Sequence, residues 1–296
     1  MIKNIKISNV YNIIYDWYFK KIPVYPIVLF RILIGLMFFL AYISYLPYLD
    51  VLLGREGIST YFTNSSYIFN LFIFSLVIIS SISFTIGFYS RVSGLILLLS
   101  HIYFVEFPFF HIHGWIILVN SFLFYTILSN PGALFSLDNK INNRNIKSVT
   151  AWPIRLIQIN VVTFYFAVSW HRINDPPWLN GKFAFFILNG VYSRFPYIDW
   201  VNFQPILSVL TYISWGLELF APIFLIIKKT RSSWALLLIS VHVFLLVFST
   251  VTWYQYLLIS LLLCFFLPSS LSKKILNLLY KIKQYAYVMI KKKNFS

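Results

Sequence analysis

Apolar segments about as long as a bilayer is thick recur along most of this chain, and they constrain its fold more than any other feature. A helix needs about 20 mostly apolar residues to cross the hydrocarbon, where every backbone N–H and C=O must find its partner within the protein. Segments of this kind fall near residues 27–46, 67–88, 93–110, 114–129, 153–170, 205–227, 233–249 and 252–267. The fourth and the last two are short, and the turn "FSTVTW" between the seventh and eighth is the least defined. Composition agrees: 59% of the 296 residues are hydrophobic and 11% are charged. Mean hydropathy is +0.77, outside the range of soluble globular domains. The expected fold class is all-α, a polytopic membrane helical bundle of about eight transmembrane helices.

Eight crossings require the connections to alternate between two sides, with basic residues gathered on the cytoplasmic one. With both termini inside, 19 of the 24 Lys and Arg residues fall in cytoplasmic segments. Four (Arg55, Arg172, Lys182 and Arg194) fall outside, and Arg31 lies within the first span. The net charge of +16 thus flanks the apolar segments instead of forming a face, so orientation accounts for it and nucleic acid is not the expected partner. No repeat or long linker divides the chain. It reads as an interfacial N-terminal segment (1–26), a transmembrane helical domain (27–267) and a basic amphipathic cytoplasmic tail (268–296) suited to anionic lipid. The first segment lacks the small-residue cleavage site of a signal peptide.

Polar groups inside apolar segments are costly, so each is a functional candidate. Arg31 and Glu218 sit at similar depths in the first and sixth spans and are expected to pair, either as a clamp between helices or as a catalytic couple. His101 and His242 fall mid-span, where a neutral imidazole can hydrogen-bond across a bundle. The single cysteine, Cys264, excludes an intramolecular disulfide. His111 and His113 form an H-x-H pair, but no Asp or Glu spacing supports a metal site, and none is assigned.

The fifth segment ends abruptly in "YFAVSWHRINDPPWLNGK". Gln158, Tyr165 and Arg172 recur every seven residues, close to two turns, with Ser169 on the same side, so they form one polar stripe that leads to this knot. Trp170, Trp178 and the prolines suit a helix end anchored at the interface, and Asp175 fits the same role. His113 starts the fourth helix, whose positive end favours a neutral, proton-accepting ring. By the alternation of sides, His113, His171 and Arg172 emerge together on the outer face.

The stretches "IVLFRILIGL", "PGALFSLD", "AWPIRLIQI", "YFAVSWHRINDPPWLNG" and "LELFAPIFL" follow one another in an order that resembles the horizontally transferred transmembrane (HTTM) domain family, which includes the vitamin K-dependent gamma-carboxylase. The resemblance covers about 26–267. It implies a helical domain that oxidises a reduced quinone, couples this to proton abstraction, and has a histidine at the position of His113 that holds and deprotonates the quinol. The lysine that the family uses catalytically corresponds to Arg172. The asparagine before the family's histidine is replaced by Ile112.

Arginine stays charged where lysine can lose its proton, so Arg172 cannot serve as a base, though it can clamp an anion or an oxygen through its forked donors. The base would then be His113 or His171, or the chemistry has changed. The resemblance implies a quinol-linked enzyme or maturation factor at an outward-facing cavity in the bacterial inner membrane. A reduced quinone is the implied cofactor, for which Gln158 and Tyr165 of the polar stripe are the candidate binding residues, and an exported peptide or protein is the implied partner beside the lipid bilayer. Large extramembrane domains that recognise protein substrates in the carboxylase have no counterpart after Pro268, which argues against gamma-carboxylation. The alternatives are a non-catalytic membrane assembly or immunity factor that binds a partner protein, and then a transporter, for which matched helix breaks are lacking.

Overall fold

The computed structural model describes residues 7–61, 65–105, 107, 115–143 and 146–293, and they are overwhelmingly helical. Helix α1 (Ile7–Phe19) leads into strand β1 (Lys21–Pro23) and then α2 (Tyr25–Tyr45), α3 (Leu49–Leu53), α4 (Tyr67–Ile86), α5 (Ser90–Val105) and α6 (Trp115–Leu128). A short α7 (Leu137–Ile141) and strand β2 (Ser148–Thr150) precede α8 (Trp152–Arg172), α9 (Pro176–Leu179) and α10 (Phe183–Asn189). The chain closes with α11 (Gln204–Ile226), α12 (Arg231–Phe248), α13 (Thr252–Phe265) and α14 (Ser269–Lys293).

Among the described residues, each of the eight apolar segments falls on a helix. Four helical stretches, Tyr25–Leu53, Tyr67–Ile86, Trp200–Ile226 and Arg231–Phe248, are long and apolar enough to cross a membrane alone, and the pair Thr252–Phe265 and Ser269–Tyr285, bent by 113°, makes a fifth if taken as one broken span. The apolar helices Ser90–Val105 and Leu118–Leu128 are shorter. Helix α8 has the length, 21 residues, but gives its apolarity up to Arg155, Gln158, His171 and Arg172.

Helix α2 is the hub. Its successive residues Ile27, Val28, Leu29 and Phe30 are all fully buried, so its first turns are covered on every side; it packs against α4, α6, α13 and α14. A second row runs from α8 to α11, α12 and α13. On α11 the buried positions Leu207, Thr211, Glu218, Ala221 and Leu225 recur at helical spacing, while Ile206, Val209, Ile213, Phe220, Ile223 and Ile226 stand exposed. Contiguous apolar faces of this extent are untenable in water and suit lipid. The protein is a polytopic membrane helical bundle.

Local contacts tie each end of the bundle together. At one end β1 pairs antiparallel with β2, Ile22 opposite Val149, the Arg155 guanidinium lies 4.8 Å from the Trp17 ring centre, and Asp138 accepts from the backbone N–H of Tyr89 (2.6 Å) and Ser90 (2.7 Å) to cap α5. At the other end, the chain after α10 docks on the turn between α12 and α13: Thr250 N–H donates to Tyr192 O at 2.8 Å and Arg194 Nε to Ser249 O at 2.7 Å.

Arg31 corrects one sequence expectation. It is fully buried, and it does not meet Glu218. Its Nη1 donates to Pro131 O at 2.9 Å and its Nη2 to Phe135 O at 2.6 Å, with Leu134 O at 3.5 Å. A guanidinium offers five donors, and the non-helical turn of "PGALFSLD" leaves carbonyls free to receive them. Main-chain oxygens therefore do the work that similar depth had suggested for a carboxylate.

Candidate functional site

Residues after Arg172 cannot continue α8. Asp175 precedes Pro176, and a residue before proline is pushed out of the helical region; its ψ is 112°. Pro176 and Pro177 then start α9, as proline suits a helix's first turn. Gly181 adopts φ +66°, the left-handed conformation that lets the chain reverse, and a Cβ there would stand 2.8 Å from the Tyr212 ring. Tyr212 Oη donates to Leu179 O at 2.8 Å and Ala184 N–H donates to Thr211 Oγ1 at 3.0 Å, fastening this reversal to α11.

The reversal stacks Trp178 on Phe183, with ring centres 3.8 Å apart and an interplanar angle of 19°. Trp178 is buried, 4% exposed, so it is no interfacial anchor. It forms a platform instead: the Arg172 guanidinium carbon lies 3.8 Å from its ring centre, within cation–π range. Across from it, Arg172 Nη1 pairs with Glu218 Oε2 on α11, the single ion pair among the described residues. The arginine side chain is 16% exposed and the glutamate 5%.

This pair stands in the wall of a cavity of about 410 Å³. Trp178 and Phe183 close one side; Leu210, Ile213, Leu217, Leu237, Phe244 and Leu245 of α11 and α12 give apolar walls; Ser214, Ser240, His242, Tyr254 and Gln255 add neutral polar groups. His242 is fully enclosed by two bonds, its Nε2 2.8 Å from Tyr165 Oη and its Nδ1 2.7 Å from Gln255 Oε1. A glutamine carbonyl can only accept, so Nδ1 carries the proton and Nε2 accepts from the tyrosine hydroxyl. The assigned tautomer follows from this chain of partners.

The polar stripe of α8 thus divides. Arg172 lines the cavity and Tyr165 reaches it through His242. Gln158 lies two turns further along and serves the opposite end: its Nε2 donates to Phe265 O at 2.5 Å, and its Oε1 accepts from Arg155 Nη1 at 2.7 Å. Ser169 is buried, and its hydroxyl has no hydrogen-bond partner among the described residues. His171 is exposed and is not among the cavity-lining residues. His113 lies outside the described residues, as does His111. Among the described residues no cluster of three metal-ligating side chains occurs.

Sequence reasoning missed Trp178 as a site residue, for which spacing offered no signal, and Gln255, which did carry one as a polar residue in an apolar segment. His242 was flagged by its depth, without its partners. His101, the other mid-span imidazole, bonds Tyr42 Oη through Nδ1 at 2.8 Å and stacks on Trp115 in a separate aromatic cluster.

The HTTM domain matches residues 19–269, which include α2, the polar knot, the cavity and α13. No curated protein and no solved structure matches the chain. With the match extending over most of its length, the chain belongs to the HTTM domain family.

Proposed function

We propose that this protein is a quinol-linked enzyme or maturation factor of the bacterial inner membrane, acting on an exported polypeptide at the cavity between α8, α11, α12 and α13. The observation that carries this reading is the charge balance of the cavity: among the described lining residues the one cation, Arg172, is matched by the one anion, Glu218, amid largely apolar walls. A paired, desolvated couple favours a ligand whose polar head is neutral over a free carboxylate or phosphate, which would have to displace Glu218. A volume near 410 Å³ suits the ring of a small amphiphile.

A reduced quinone fits these residues. Arg172 would donate to a ring oxygen through guanidinium N–H groups not engaged by Glu218, the apolar side chains of α11 and α12 would pack on the ring, and His242 would exchange a proton with Tyr165, whose hydroxyl its Nε2 already accepts from. When bound, such a group would supply two electrons and two protons. His242 is the base candidate among the lining residues, held in one tautomer by Gln255. The role assigned to His113 rests on the family resemblance alone. Eight crossings, with Arg172 and the 190–194 segment outside, are supported by the contacts that join segments assigned to the same side.

Extraction of lipids from the purified protein tests this reading. Wild type should carry quinone in near-stoichiometric amount, and Arg172→Ala and His242→Ala should lose it and fail in the cell. Protein that never retains a quinone, with both variants behaving as wild type, removes it. One observation favours a second reading, a non-catalytic assembly or immunity factor: arginine stands where the resemblance implies a titratable lysine. A stoichiometric partner protein retained by the Arg172→Ala, His242→Ala double variant would select that reading.

A further inference from the structure

We propose that a groove at the opposite end of the bundle from the Arg172 cavity binds the headgroup and upper acyl chains of an anionic phospholipid. The groove, about 680 Å³, lies between α14 and the turn that Arg31 anchors. Its floor and walls are apolar, with Phe135, Leu276 and Leu279 foremost, and its rim carries Lys140 and Lys283 beside Tyr280. No acidic side chain is among the described residues lining it. This site is separate from the proposed function and stands or falls independently of it.

Three features decide the occupant. First, α14 leaves α13 at 113°, so where α13 stands along the membrane normal α14 lies near the membrane plane, the geometry of an interfacial helix. Second, α14 buries Ser272 and Leu276 against the bundle but leaves Leu279 43% and Ile282 55% exposed, an apolar surface that water would not tolerate but acyl chains would cover. Third, among the described lining residues the only charges are the two lysines, which makes the groove complementary to a phosphate on a lipid at the cytoplasmic face. Phe135, whose ring centre lies 6.2 Å from that of Tyr280 across the groove, is held in place by Arg31, which binds its carbonyl. The groove is therefore preformed, not a gap between loose elements.

The test uses the full chain purified in a mild non-ionic detergent and read by native mass spectrometry, with phosphatidylglycerol or phosphatidylcholine of identical chains added. Wild type should retain one phosphatidylglycerol in preference to phosphatidylcholine. At roughly 5-fold per lysine removed, Lys140→Gln with Lys283→Gln should weaken retention by about 25-fold. Lys140→Arg with Lys283→Arg should preserve it, as should Lys228→Gln with Lys229→Gln at the α11–α12 connection. Glycerol phosphate, the headgroup without chains, should not compete. Equal retention of the two lipids, equal loss in both glutamine pairs, loss in the arginine pair, or competition by glycerol phosphate would each overturn the site.

Discussion

Arg172 on α8 and Glu218 on α11 form an ion pair across 46 residues of sequence, in the wall of a cavity and against the face of Trp178. The pair fixes how α8 and α11 lie against each other and cancels the cavity's charge. The Glu218 side chain is 5% exposed, so without Arg172 its carboxylate would stand in a largely apolar wall with no counter-charge.

Removal of one partner should therefore cost more than removal of both. Arg172→Ala leaves a buried carboxylate uncompensated and is expected to destabilise by about 3 kcal/mol. Arg172→Met combined with Glu218→Gln should recover most of that loss. Thermal unfolding of the three proteins in the same detergent checks this, and a double variant as unstable as the single one would contradict it.

The Tyr165–His242–Gln255 chain makes a second, independent prediction. His242→Phe keeps the ring volume but strands a buried hydroxyl and a buried carboxamide, each costing about 1–3 kcal/mol where no water enters. Tyr165→Phe alone should cost less, because His242 keeps its bond to Gln255. A double-mutant cycle between Tyr165 and His242 should give a coupling between about 0.6 kcal/mol, the average for hydrogen bonds between membrane helices, and about 1.7 kcal/mol, their maximum.

Two glycines separate backbone necessity from accident. Gly87 ends α4 at φ +74°, and a Cβ there would overlap Ser136 Cβ and come within 2.6 Å of Arg31 Nη1. Gly87→Ala should destabilise by more than about 1 kcal/mol and disturb the Arg31 anchor. At Gly216, in α11, an added Cβ would meet nothing within 4 Å, and Gly216→Ala should be neutral or stabilising. Parallel unfolding curves of the two variants decide the contrast.

Arg31 should tolerate no substitute. Lysine keeps the charge but offers a single ammonium where three carbonyls converge from one turn. Arg31→Lys is expected to cost about 1.5–3 kcal/mol, the range for hydrogen bonds to a charged group, and to increase hydrogen exchange in residues 131–137. Unchanged exchange there would show that the turn holds without the anchor.

The apolar segments were legible because a bilayer imposes one length on every crossing, and the helices α2, α4, α11 and α12 fall where that length puts them. The stripe of α8 was legible because Tyr165 and Arg172 are two turns apart on one helix. Their partners were not, since His242 and Glu218 arrive from helices whose adjacency no local spacing encodes. Depth alone matched Arg31 with Glu218 and failed, because carbonyls of a turn can satisfy a guanidinium and leave no trace in side-chain chemistry. Trp178 looked like an interface residue since tryptophan is common there; its burial depends on the reversal at Gly181, which only the folded chain reveals.

The central claim is that Arg172, Trp178 and His242 face one cavity that takes a lipid-soluble quinone, and a photoreactive quinone analogue tests it most directly. Irradiated with the purified wild-type protein, it should label residues lining the cavity on α11, α12 or the start of α13, with labelling suppressed by excess unmodified quinol and abolished by Ser240→Trp, which fills the space. Label confined to lipid-facing residues such as Ile206 or Ile223, indifferent to both the competitor and the filled cavity, would contradict it.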